Sequence, residues 1–167
     1  MNRMATRLRN GGLAALLGLC ATSAFAQSPT EFINDASAQG IADIEASRLA
    51  HQKSESKEVK DYTIVVINDR TTANQHLAKI AKQLDLPVAP REEVVEKAKA
   101  LMPPVSEGAS FDEAYAASQV KTTEQAIEQL EQTAQTTDEP QIKAIAEETM
   151  PKLQNHLQMA RALQASR

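Results

Sequence analysis

The chain has 167 residues, 42% of them hydrophobic but only 3% aromatic, with five Gly, one Cys, three His and a net charge of −4. That is material for one domain, and a single Cys excludes a disulfide scaffold, a zinc ribbon and a redox Cys pair. Little aromatic surface and an acidic balance argue against a cofactor pocket and against nucleic acid as a partner.

Residues 1–26 read as a cleaved secretory signal. Arg3, Arg7 and Arg9 form a positive start, Gly12 to Leu19 is a short apolar run, and Ala24-Phe25-Ala26 offers small residues where a signal peptidase reads them. The run is shorter than the ~20 residues of a membrane helix. A lipoprotein anchored through Cys20 is disfavoured, because Leu19 stands where processing wants a small residue. Cleavage before Gln27 leaves residues 27–167 as the mature domain, with no Cys and no transmembrane segment. Its 15 basic side chains face 22 acidic ones, a net charge of about −7. The expected compartment is the bacterial periplasm, and the expected partner an unidentified periplasmic or envelope protein.

Ser28-Pro29-Thr30-Glu31 is a capping box with Pro at the first helical position, opening a first helix to about Gln52. After a polar break, a second helix runs from about Glu55 to Leu84. Thr63 to Ile67 is β-branched, but it sits inside a helical pattern that is expected to override its propensity. Residues 85–109 carry Pro87, Pro90, Pro103, Pro104 and Gly108 around one short helical stretch, Arg91 to Leu101. Ser110-Phe111-Asp112-Glu113 is a second capping box and starts a third long helix to about Thr136. Asp138-Glu139-Pro140-Gln141 starts a fourth, to about Ala165, with Pro151 expected to kink it.

The links between long helices are thus short, long, short. Short links make antiparallel neighbours, and the long middle link can cross the length of the bundle. The expected fold is all-α: a ferritin-like four-helix bundle with a short extra helix in its crossover.

Polar residues interrupt the apolar seams. The second helix gives Val59, Tyr62, Val66, Asp69, Ala73, His76 and Ile80, with Arg70 beside Asp69. In the third, Thr123 lies among Ala116, Val120, Ile127, Leu130 and Ala134. The fourth places His156 among Ile142, Ile145, Thr149, Leu153, Ala160 and Leu163. The first shows Ile33, Ile41, Ile44 and Leu49, with Glu45 and Arg48 in the same sector. A buried charge costs several kcal/mol unless paired, so Glu45, Arg48, Asp69, Arg70, Thr123 and His156 define a candidate polar centre, with its charges either paired or at the wet edge. Two readings stay open: a metal site of inward carboxylates and His, or an ion-pair network that sets helix register. No P-loop, His-Glu-x-x-His, Gly-x-Ser-x-Gly or dinucleotide glycine pattern is present, so no catalytic residue is assigned. Met102, Met150 and Met159 are too scattered for a copper site.

Several segments resemble the domain-of-unknown-function 4142 family of exported bacterial proteins. They are Glu31-Phe32 through Leu49-Ala50, Asp69 to Asn74, Phe111 to Tyr115, and Met150 to Leu157. The resemblance spans nearly all of residues 30–163 and implies a ferritin-like bundle and export, but no reaction. The family's second helix usually carries Asp-His where this chain has Asp69-Arg70. Its third usually carries Asp-His where this chain has Thr122-Thr123, and only His156 is kept. A guanidinium cannot ligate a divalent metal and repels it. The resemblance therefore implies a degenerate centre and a non-enzymatic protein with no expected cofactor. The alternative is Fe, Mn or Zn held by a reduced set of Glu45, Asp69 and His156.

Overall fold

A computed structural model describes residues 27–102 and 110–166. The expected leader at 1–26, with Cys20, lies outside the described residues. So do 103–109 of the crossover and the Ser110 side chain on which the second capping box depends.

Among the described residues the secondary structure is all helical: α1 (Pro29–Lys53), α2 (Lys57–Gln83), α3 (Arg91–Leu101), α4 (Ser110–Thr136) and α5 (Pro140–Ala165). The first capping box forms as expected. Glu31 N–H donates to Ser28 Oγ at 3.2 Å, and Ser28 N–H donates back to Glu31 Oε2 at 3.0 Å. These bonds to Ser28 hold the Glu31 carboxyl below the usual carboxylate range. Ser56 caps α2 through Val59 N–H, and Glu139 caps α5 through Gln141 N–H. Thr63 to Ile67 is helical, so the packed faces override its β-branched preference. Pro151 lies on the exposed side of α5, which continues through it.

The end of α2 is a Schellman turn. Asp85 adopts φ 48°, a left-handed conformation that Asp tolerates. Leu86 N–H then reaches Ala81 O at 3.0 Å, and the Leu86 side chain packs onto the core.

Cross-helix bonds fix the directions. Asp43–Arg70, Ser37–Asn74 and His51–Thr63 run in opposite order along α1 and α2, which are therefore antiparallel. Ser47–Tyr115 and Ser54–Asp112 do the same for α1 and α4, as do Asp69–His156 and His76–Glu148 for α2 and α5. Hence α2 and α4 run in the same direction, and the crossover must span the bundle from end to end. The packing order around the bundle is α1, α2, α5, α4, with α3 laid against the outside of α1.

The core falls into two clusters. One holds Phe32, Leu77, Leu130, Ile142, Ile145 and Leu153. The other holds Val59, Tyr62, Val66, Phe111, Tyr115 and Leu163. Ala38, Ala42 and Ala98 join α3 to α1 in a smaller contact.

Two seams differ from the sequence reading. In α1, Ile41 and Leu49 are only half-buried, and the inward face is Phe32, Asp43, Ala46, Ser47 and Ala50. Because α1 is covered by α3 as well as by the bundle, its large aliphatic residues need not point to the bundle axis. In α2 the inward line passes from Val66 to Arg70, Leu77 and Ala81, while Asp69 is half-buried and His76 exposed. A helix turns 100° per residue, so a 3-4 seam drifts off the axis over several turns.

Candidate functional site

Between the two apolar clusters lies a layer of polar side chains drawn from every long helix: Asp43 and Ser47 from α1, Asp69 and Arg70 from α2, Gln119 and Thr123 from α4, His156 from α5. Arg70 Nη2 donates to Asp43 Oδ2 at 2.6 Å. The second Asp43 oxygen accepts Gln39 Nε2 at 2.9 Å. Arg70 Nε is buried with no hydrogen-bond partner among the described residues.

One residue earlier on α2, Asp69 Oδ2 lies 2.8 Å from His156 Nε2. A carboxylate only accepts, so Nε2 carries the proton. His156 is 1% exposed and Tyr62 lies edge-on to it, ring centres 6.4 Å apart. Burial lowers the His156 pKa most. The Asp69 hydrogen bond opposes this, and the Arg70 charge adds to the lowering. Tyr62 O–H donates to Gln119 Oε1 at 3.2 Å, and Tyr115 shares a 2.8 Å bond with Ser47. Burial raises both tyrosine pKa values, so both rings stay neutral hydrogen-bonding groups.

Of the six residues expected at the centre, the layer holds Asp69, Arg70, Thr123 and His156. Glu45 and Arg48 are not there. They pair with each other at 2.7 Å on the surface, with side chains 48% and 58% exposed. The reduced metal set therefore does not assemble, since Glu45 stands apart from Asp69 and His156. Among the described residues, no group of three or more His, Cys, Asp or Glu is placed to hold a metal ion. Beside Asp43 the Arg70 guanidinium stands where a divalent cation would sit, and it repels such a cation.

Asp43, Ser47, Gln119 and Tyr115 were missed from the sequence, while Tyr62 was expected on the α2 seam but not as a neighbour of the polar centre. A signal existed for Asp43: Phe32, Ala36, Gln39, Asp43, Ser47 and Ala50 recur at helical spacing. Its small residues score weakly beside the isoleucines on the other face.

A four-helix bundle with a paired, buried polar layer is the class that this fold and site define. The chain belongs to the family described as Domain of unknown function (DUF4142), whose match spans residues 14–163. Among solved structures it is similar to CopM in the Cu(II)-bound form, with a TM-score of 0.72 and 12% identity, covering 84% of this chain and 98% of that one. At that identity the likeness is one of fold. No curated protein matches. Among the described residues, no helix is long and apolar enough to cross a membrane.

Proposed function

We propose that this chain is an exported, non-catalytic bundle of the periplasm that works by binding or by supporting the envelope. In this reading, cleavage after Ala26 releases residues 27–167, the architecture is ferritin-like, and its polar centre has become structural. The Asp43–Arg70 bridge carries the proposal, because a side-chain cation neutralises the buried carboxylate from within. The leader's three-part layout supports export. Two measurements test it: the N-terminus of the chain recovered from the periplasmic fraction, expected at Gln27, and the metal content of that protein. Stoichiometric retained metal would overturn the non-metal reading, and an intact leader would overturn the export.

A metal-binding reading is favoured by one observation, the Cu(II) in the structural neighbour. It would rest on Asp69 and His156 alone of the expected set, two groups already bonded to each other. Thermal shifts with Cu(II), Fe(II), Mn(II) and Zn(II) separate the readings. A large stabilisation abolished by His156→Gln supports metal, and none supports the structural layer.

A further inference from the structure

A broad groove lies away from the polar layer. It measures about 1230 Å³, with α1 as its floor and α2 and α3 as its walls. It exists because α3 packs chiefly on α1. Ala89 N–H donates to Asn34, Lys97 pairs with Asp35, and Ala98 sits against Ala38 and Ala42. Sequence order rises together on the two helices, so α3 runs in the same direction as α1.

One face of α3 and its C-cap line the groove: Arg91, Val95 and Ala98 from the helix, at 4-3 spacing, and Met102 just beyond its end. From Arg91 to Ala98 this line is about 10 Å long at the α-helical rise. It places a cation at one end and apolar groups along the rest, over a floor that includes Ile41 and Leu49. Four charged residues line the groove: Arg48, Arg91 and Lys99 against Glu45 alone. On a chain of charge −4, a cation left uncompensated in a concavity favours an anion. Arg48 pairs with Glu45 and Lys99 with Glu96. Arg91 is exposed and has no ion-pair partner among the described residues.

We propose that this groove binds an anionic amphiphile, a single acidic head on an apolar tail, with the head at Arg91 and the tail along Val95, Ala98 and Met102. The volume is ample for a ligand of this size. The proposal gives the binding function above a ligand class. It uses none of the polar-layer residues, so its failure and that of the metal-free reading are separable.

The test is calorimetric titration of the purified protein with dodecanoate below its micellar concentration, against the neutral glycerol ester of the same acid and against acetate. One dodecanoate per chain is expected, with much weaker binding of both controls. Arg91→Glu and Val95→Asp should each weaken it roughly tenfold, with unchanged helical circular dichroism. Lys121→Glu, on α4 away from the groove, should leave it unaltered. Absence of binding, equal binding of the ester or of acetate, or full affinity in Arg91→Glu would overturn the proposal.

Discussion

Arg70 and Asp43 form an ion pair at 2.6 Å whose side chains are only 8% and 5% exposed. Neither charge has water to fall back on, so the two depend on each other. Removing one partner from such a pair typically costs ~3–5 kcal/mol, while replacing both with apolar residues is often neutral or stabilising. Asp43→Ala should destabilise by about that amount in urea unfolding. The double change Asp43→Leu with Arg70→Met should recover most of it, helped by removal of the unbonded Arg70 Nε. Equal losses in single and double variants would contradict this account.

His156 gives the fold a pH dependence of defined sign. Its folded-state pKa lies below the ordinary 6.5 because burial penalises the imidazolium. Below about pH 6.5 the unfolded chain therefore takes up a proton that the folded chain resists. Stability should be full above that value and fall as pH drops, levelling once the folded-state pKa is passed. Denaturation midpoints at pH 7.5 and 5.5 measure the slope, and His156→Gln should flatten it. A protein that gains stability on acidification through this window would show that the Asp69 bond outweighs burial.

Gly40 is set by its neighbour across the helix pair. A Cβ there would lie 2.3 Å from Asn74 Oδ1, and Asn74 Nδ2 donates to Ser37 O at 3.3 Å. Gly40→Ala gains about 1 kcal/mol of helix propensity but displaces Asn74 from that bond. The net effect should be a loss of roughly 1 kcal/mol. In an Asn74→Ala background the clash is gone, and the same change should stabilise by ~0.5–1 kcal/mol. The reversal of sign, read by thermal unfolding, is the diagnostic.

The Arg70→His substitution tests whether the guanidinium keeps metal out. It removes a fixed cation and sets an imidazole next to Asp69 and near Asp43 and His156. The variant should retain divalent metal after purification from Zn(II)- or Cu(II)-supplemented medium, where the parent retains none. Elemental analysis reads this directly, and identical metal content in the two proteins would refute the exclusion argument.

Legibility in the sequence followed contrast between side chains. The α5 seam was readable because large aliphatics recur there at regular spacing, and all its expected members but Thr149 are buried. The capping box at Ser28 was readable because it is local chemistry. The inward face of α1 was not, because beyond Phe32 it is formed by Ala, Ser and one Asp, while Ile41 and Leu49 lie half-buried on other faces. That misplacement put Glu45 and Arg48 at the centre and hid Asp43. The drift of the α2 seam made Asp69 look deeper than Arg70, whereas burial falls the other way. Pairings between helices depend on their rotation, which spacing alone leaves free.

Asp69 and Arg70 are adjacent, yet they bind different partners. Arg70 is tied to α1, its hairpin mate, and Asp69 to α5, in the opposite hairpin. Local contacts form ahead of distant ones because less chain must be closed to make them. The consequence is a division of labour in time. On that argument the guanidinium contact is expected to form with the α1–α2 hairpin, and the imidazole contact when that hairpin docks on α4–α5. Asp43→Ala should therefore slow refolding, while His156→Gln should mainly speed unfolding.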